Sequence, residues 1–495
     1  MTLVDQLLSA QADLTAVERF SRSHDSFPSP ETRNRKYESL IPLSKPQNGE
    51  QYAFAVDLDR CTGCKACVAA CHSLNGLEEE ETWREVGTLL GGTANAPRQQ
   101  TVTSACHHCA EPGCLEGCPV MAYEKDEATG IVRHLDDQCI GCQYCILKCP
   151  YEVPKYSKNL GIVRKCDMCQ SRLGVGEAPA CVQACPTQAI SIRIISRQEI
   201  RSRASNHLFL PDSPDPQLTK PATIYSSSKP LSERAISADH FALVVQPAHT
   251  PLAVMLVLTQ AGVGLLLASV CFGINPTNLF LGALCINVGL IASVLHLGQP
   301  LKAWRAFLGW RTSWLSREIV VLGALGGVSV AVAAGHFVPA FVPFASATLA
   351  LAVGTGLLGV VCSAWVYHDT GRKVWRGFLS FGRFALTTLL FAAWAAPQIQ
   401  LFIGVLSAKL IFESILVMRG GLAPWRLDDL DRSARLLRGP LLSWFLIRVT
   451  FAAAAIASIS YFPALAFIFA LAGELCERSL FFKAGVASKM PGIPR

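Results

Sequence analysis

Sixteen of the chain's 20 cysteines lie between Cys61 and Cys185, and their spacing limits the possible folds more than any other feature. They form four runs: Cys61-x2-Cys64-x2-Cys67-x3-Cys71; Cys106-x2-Cys109-x4-Cys114-x3-Cys118-Pro119; Cys139-x2-Cys142-x2-Cys145-x3-Cys149-Pro150; and Cys166-x2-Cys169-x11-Cys181-x3-Cys185-Pro186. Two residues between thiols let a tight loop aim its sulfurs at adjacent metal atoms. Gly63 and Gly141 can supply the turn and the close amide approach such loops need. A proline after the last cysteine stops a helix there and steers the chain away.

Three chemistries compete for these thiols. Structural zinc uses four ligands per site, often including histidine, and needs neither a third cysteine two residues after the second nor a Cys-Pro ending three times over. Disulfides need an oxidising compartment, and close C-x2-C repeats are poor geometry for them. The C-x2-C-x2-C-x3-C-P run is instead the iron-sulfur pattern in which three near thiolates grip one cubane and the remote fourth serves its neighbour. Sixteen ligands in four complete motifs predict four 4Fe-4S clusters.

The four runs read as two ferredoxin-like units, one nested in the other: first with fourth, second with third. That interleaving resembles the iron-sulfur subunit of the dimethyl sulfoxide reductase family, the four-cluster electron-transfer partner of molybdopterin oxidoreductases. The resemblance covers roughly residues 50 to 195 and rests on "DRCTGCKACVAACHSLN", "CHHCAEPGCLEGCP", "CIGCQYCILKCPYEVPKY" and "KCDMCQSRL…PACVQACP". It implies four ligand sets: Cys61, Cys64, Cys67 and Cys185; Cys166, Cys169, Cys181 and Cys71; Cys106, Cys109, Cys114 and Cys149; Cys139, Cys142, Cys145 and Cys118. It also implies that the third motif's cluster lies nearest the membrane and the first motif's nearest a catalytic partner. Cys139 stands where some relatives have tryptophan and a 3Fe-4S centre, so four 4Fe-4S clusters are expected. His72 departs from the pattern, standing where a proline would complete the first motif; the expected effect is on the local turn.

A hydrophobic content of 51% with only 16% charged residues is too apolar for a wholly soluble chain of this length. The excess lies beyond residue 250, in apolar runs near 251–272, 276–297, 318–338, 344–366, 378–396, 398–418, 440–459 and 461–482. Each approaches the ~20 residues that cross a bilayer as a helix, which predicts eight spans. The predicted architecture is an α+β double ferredoxin-like four-cluster domain (51–195) after an N-terminal extension (1–50). A Pro/Ser-rich extended connector (196–246) then leads to an all-α eight-helix transmembrane bundle (247–495). Within the extension, Leu3, Val4, Leu7, Leu8, Leu14, Val17 and Phe20 recur at helical spacing, read as a short helix packing on the domain's own surface.

Lysine and arginine fill the loops after spans 2, 4 and 6 and the C-terminal tail, including Lys302, Arg305, Arg372, Lys373 and Arg376. The loops after spans 1, 3, 5 and 7 hold none. This asymmetry predicts the basic side, both termini and the cluster domain in the cytoplasm of a bacterial inner membrane. The N-terminal stretch has no apolar core and no twin arginine, so no export signal is expected. The net charge of +7 is not gathered into a stripe, which argues against a nucleic-acid partner.

The bundle resembles the membrane anchor of the same family through "LHLGQP", "SWLSREI", "YHDTGR" and "AGELCERSLFF"; anchor and cluster subunit look fused. Such anchors bind quinol without haem, and the implicated residues correspond to His296 and Glu318. Both flank one basic loop, and imidazole beside carboxylate suits proton uptake from a quinol. The rival haem reading needs a second histidine, and His249, His336 and His368 at span ends give no evident facing pair. Lys409 and Glu413 read as an intrahelical ion pair, and Trp304, Trp310, Trp314, Trp375 and Trp425 as interfacial anchors. The expected function is oxidation of menaquinol or ubiquinol from the membrane pool and electron delivery through four clusters to a separate molybdopterin (Mo or W) catalytic subunit, reducing nitrate or an S- or N-oxide. The reverse current from a dehydrogenase, and a non-redox zinc-stapled scaffold, are the alternatives.

Overall fold

The computed structural model describes residues 39–93, 95–335, 345–419, 427–486 and 489–492, with isolated positions 2, 5 and 9. The N-terminal helical pattern, His336 and Trp425 lie outside the described residues. The cluster domain is stitched by short antiparallel pairs. Strand β1 (Glu50–Asp57) pairs with β8 (Ile190–Ser196) in register Glu50↔Ser196 to Val56↔Ile190. This brings the first motif beside the end of the fourth. β2 (Glu85–Thr93) and β3 (Ala96–Ser104) form a long hairpin after the first motif. The hairpins β4–β5 (Tyr123–Lys125, Val132–His134) and β6–β7 (Lys155–Ser157, Ile162–Arg164) separate the second, third and fourth motifs.

Proline decides where the motif helices stop. Helices end at Glu116, Lys148 and Gln183, just short of the Cys-Pro pairs, whereas the first motif's helix runs from Ala66 through Cys71 and His72 to Asn75. His72 keeps the N–H that proline lacks, so the turn continues. The connector is less free than its composition suggests. It forms a helix over Arg197–Ser205, adds β9 (Ile224–Ser226) parallel to β1, and adds β10 (Ile236–Ser237) to β2.

Eight long helices follow the eight apolar runs: α1 (Thr250–Cys271), α2 (Pro276–Val294), α3 (Trp314–Gly335), α4 (Ala345–His368), α5 (Phe378–Trp394), α6 (Ile399–Met418), α8 (Leu442–Ser458) and α9 (Pro463–Lys483). Between α6 and α8 lies a short charged helix, α7 (Asp429–Arg438), bent 70° from α8. Helices α1 to α4 and α6 are long and apolar enough to cross a membrane by length and composition alone. α5 and α8 have 17 residues each, and α9 carries Glu474, Glu477 and Arg478. α1 is the hub, packing on α2, α4, α5 and α9.

The bundle's interior holds a buried ion network. Lys409 meets Glu413 at 3.8 Å as the i,i+4 spacing requires, but its closer partner is Glu474 on α9 at 2.8 Å. Arg448 bridges Glu474 at 2.7 Å and Glu413 at 3.2 Å, and Arg383 approaches Glu477 at 3.5 Å. The pair read from α6 alone is thus part of a network of four helices. Trp375 also departs from its expected interfacial place: it is 1% exposed, stacks on Phe481 and donates to the Phe481 carbonyl at 3.0 Å. Trp304 and Trp310 are exposed as expected.

Candidate electron-transfer site

The thiols gather in four groups. Cys61 faces Cys64 and Cys185; Cys71 faces Cys169 and Cys181; Cys114 faces Cys106, Cys109 and Cys149; Cys145 faces Cys118, Cys139 and Cys142. Cys106, Cys109, Cys114 and Cys149 also line a common small cavity. Each loop achieves this with a left-handed residue just before the second cysteine: Gly63 (φ 74°), His108 (φ 41°), Gly141 (φ 70°) and Met168 (φ 61°). Two motifs use glycine there, and the other two accept a conformation that L side chains rarely adopt. The turn points amides at sulfur, as in Gly141 N–H to Cys139 Sγ and Met168 N–H to Cys166 Sγ, each 3.4 Å. After the Cys-Pro corner, Ala122 N–H and Ala189 N–H reach Cys118 Sγ and Cys185 Sγ at 3.2 Å.

This donor set fits an iron-sulfur cluster. Burial pushes the Cys71 thiol up to about 12 and the Cys118 and Cys149 thiols up to about 11. Thiols so placed lose their protons only when a cation takes over the charge. Among the described residues, no three His, Cys, Asp or Glu side chains converge on a point that one metal ion could occupy.

The third group abuts the bundle. The loop 295–313 clasps it: Gln299 N–H donates to the Ile140 carbonyl at 3.1 Å, Gly309 N–H to the Pro119 carbonyl at 2.8 Å, and Ser313 Oγ to the Gly117 carbonyl at 2.7 Å. Contact is so close at Gly298 that a Cβ there would overlap the Gly161 carbonyl. Lys302 and Arg305 both donate to the Asp137 carbonyl at 3.1 Å, and Lys148 pairs with Asp369 at 2.8 Å. The basic loops therefore face the cluster domain.

Between the third motif and the bundle lies a mainly apolar cavity of about 260 Å³. His296 and Glu318 both line it, together with Cys142 and Tyr144 from the cluster side and Tyr367 from α4. The His296 ring lies beside the Cys142 backbone of the third motif. Glu318 is 3% exposed and accepts a hydrogen bond from Ser363 Oγ. His249 joins them, its ring 5.2 Å from that of His296 at 75°. The facing pair that the sequence hides is thus present, its rings meeting edge to face.

Comparison with known proteins agrees with this division. Residues 98–194 match the 4Fe-4S dicluster domain family, and residues 248–422 match the dimethyl sulfoxide reductase anchor subunit family. The N-terminal part is 35% identical over 189 residues to the B subunit of the anaerobic dimethyl sulfoxide reductase of Haemophilus influenzae, spanning 91% of that protein and 36% of this chain. The chain belongs to the dimethyl sulfoxide reductase family. The corresponding B subunit of Escherichia coli K12 is 34% identical over 194 residues, covering 93% of that protein and 37% of this chain. A formate dehydrogenase iron-sulfur subunit of Haemophilus influenzae is 32% identical over 209 residues, covering 62% of that protein and 39% of this chain. As a fusion of iron-sulfur subunit and anchor, this family member is an electron-transfer subunit and a multi-pass membrane protein.

Several residues of this dimethyl sulfoxide reductase relative escape a reading of sequence alone. Arg84 and Lys165 sit among the thiols, 2% and 3% exposed, yet "TWREVG" and "VRKCDM" resemble ordinary surface stretches. His249 is separated from His296 by two helices, and only the α1–α2 packing joins them. Glu474 and Glu477 carry a helical i,i+3 spacing that marks one face of α9 but no partner.

Proposed function

We propose that the chain oxidises a membrane quinol at the cavity shared by His296, Glu318 and Cys142, and passes the electrons through four 4Fe-4S clusters to a separate molybdopterin catalytic subunit in the cytoplasm. The carrying observation is that one cavity has the proton-handling side chains on its membrane wall and a cluster thiol on the other. Quinol oxidation releases two protons and two electrons. The His296 imidazole accepts one phenolic proton and the Glu318 carboxylate the other, while Ser363 holds that carboxylate in place. A bound 4Fe-4S cluster supplies a one-electron acceptor. Tyr144 closes the cavity on the cluster side, its hydroxyl donating to the Val366 carbonyl at 2.9 Å, so released protons leave by the imidazole and carboxylate. The basic loops facing the cluster domain support a cytoplasmic location for it.

The B-subunit relatives, named as chains of dimethyl sulfoxide reductases, support a reductase partner; the proposed terminal substrate is an S- or N-oxide or nitrate. The likeness to a formate dehydrogenase subunit favours a second reading, in which the same chain carries electrons from a dehydrogenase to quinone. Midpoint potentials against menaquinone and ubiquinone separate the two. The central test is His296→Ala in membranes. Quinol-driven reduction of the clusters should disappear while dithionite still reduces them, and unchanged quinol reactivity would sink the assignment. Iron analysis should give roughly sixteen atoms per chain, and zinc in their place would restore the scaffold reading.

A further inference from the structure

Two buried cations stand at the junctions between thiol groups. Lys165 Nζ lies 3.6 Å from Cys106 Sγ of the second motif and donates to the Cys166 carbonyl of the fourth at 2.8 Å and to the Val132 carbonyl. Arg84 donates through Nη1 to Thr103 Oγ1 at 3.2 Å, and that hydroxyl lies 3.6 Å from Cys67 Sγ of the first motif. Its guanidinium covers Phe54, and its Nη2 is buried without a hydrogen-bond partner among the described residues. The ionisable groups around Arg84 are the sulfurs of Cys181, Cys67, Cys166 and Cys71; around Lys165 they are those of Cys106, Cys114 and Cys166. The junction between the second and third groups is different: Tyr123, which is neutral, stands among Cys145, Cys114 and Cys118.

We propose that Arg84 and Lys165 are electrostatic bridges that raise the reduction potentials of the clusters they flank, leaving the membrane-proximal cluster outside their reach. Arg84 serves the clusters of the first motif and of Cys71, Cys166, Cys169 and Cys181; Lys165 serves the latter and the cluster of Cys106, Cys109, Cys114 and Cys149. The physical reason is charge. A cluster gains one negative charge on reduction, and a cation held in a low-dielectric interior favours that state more than a solvated one does. Lysine and arginine are cations at neutral pH, and the fold holds Lys165 Nζ 3.6 Å from Cys106 Sγ and Arg84 one hydroxyl away from Cys67 Sγ. These are positioning residues: Lys165 reaches Cys106 Sγ directly and Arg84 reaches Cys67 Sγ through Thr103, and neither lines the quinol cavity.

The inference rests on the four-cluster reading, and potentiometric EPR of the full-length chain in membranes tests it with dithionite as reductant, independent of quinol. Arg84→Gln should move two cluster midpoints negative, Lys165→Gln should move two, and one signal should respond to both. The third motif's cluster should move in neither. Arg84→Lys and Lys165→Arg should restore wild-type midpoints. Neutralised chains with full iron content and unmoved midpoints would overturn the proposal, as would a uniform shift of all four signals. Should one neutralised chain lose iron, the other decides. Should both lose it, charge-retaining variants that keep iron and midpoints uphold the role of charge, and their failure alike overturns it. Fewer than four clusters in the wild-type chain would instead defeat the underlying reading.

Discussion

Arg84 and Lys165 in the cluster domain and Lys409, Arg448 and Arg478 in the bundle are all nearly inaccessible cations, yet their surroundings differ in kind. The bundle cations face Glu413, Glu474 and Glu477, so their counter-charges come from the polypeptide itself. The cluster-domain cations face thiols, which in a metal-free chain are held protonated by burial. One region is complete as translated; the other waits for iron.

The largest expected effect follows from that contrast. Chain made under iron starvation should keep the amides of α1 and α2 protected from hydrogen exchange while those of β1, β8 and the motif loops exchange freely. A cofactor that binds only the folded state contributes its binding energy to folding, and this domain's core clusters include the cysteines themselves. Equal protection in both regions would break the comparison.

A smaller effect is expected within the bundle. Glu474→Gln leaves Lys409 and Arg448 short of a carboxylate at 2.8 and 2.7 Å, and removing one partner of a buried pair costs ~3–5 kcal/mol. The double variant Glu474→Gln with Lys409→Met should recover part of that loss, because the network's net charge returns to its original value. Thermal aggregation of detergent-solubilised chain reads both. A double variant less stable than the single would show that geometry, not balance, governs the network.

How much of this was legible in the sequence follows from the range of each interaction. The cysteine motifs, the eight apolar runs and the basic-loop asymmetry are local patterns, and the structure brings His296 and Glu318, which close those runs, to one cavity. Trp375, Arg84, Lys165 and His249 depend on contacts far along the chain. Trp375 reads as an anchor because its neighbours are basic, but Phe481 on α9 provides its ring partner and carbonyl. Arg84 is recognisable only once the β2–β3 hairpin folds over the first and fourth motifs. The connector's strands escape notice because two or three residues suffice to extend an existing sheet.

Next in size stands Glu318→Gln, which keeps the shape of the cavity and the contact to Ser363 but removes a proton acceptor. Quinol-driven cluster reduction should fall by ~10²-fold, at the low end for a lost acid-base group, with dithionite reduction unaffected. Stopped-flow bleaching of the clusters measures it, and a rate within a factor of about two of the original would remove Glu318 from proton transfer and leave it a structural contact of α3 with α4.

The smallest effect is expected at His249. It holds the position before α1 at φ 44° and makes no side-chain cap, so its ring is free to turn into the cavity, against His296 and Phe482. Burial first, then the charges of His296 and Arg372, lower its pKa to about 4, so it is neutral at pH 7. Its folded-state pKa lies below the unfolded value near 6.5. Its contribution to stability is therefore complete above that value and is lost as the pH falls from 6.5 toward 4. His249→Phe keeps the ring but discards its hydrogen-bonding nitrogens, and should weaken quinol binding about tenfold, the ~1.4 kcal/mol of one polar contact, without abolishing turnover. It should also flatten the loss of stability between pH 6.5 and 4 in thermal melts. Unaltered quinol affinity in His249→Phe would make His249 a wall of the cavity only, and leave the polar work to His296 and Glu318.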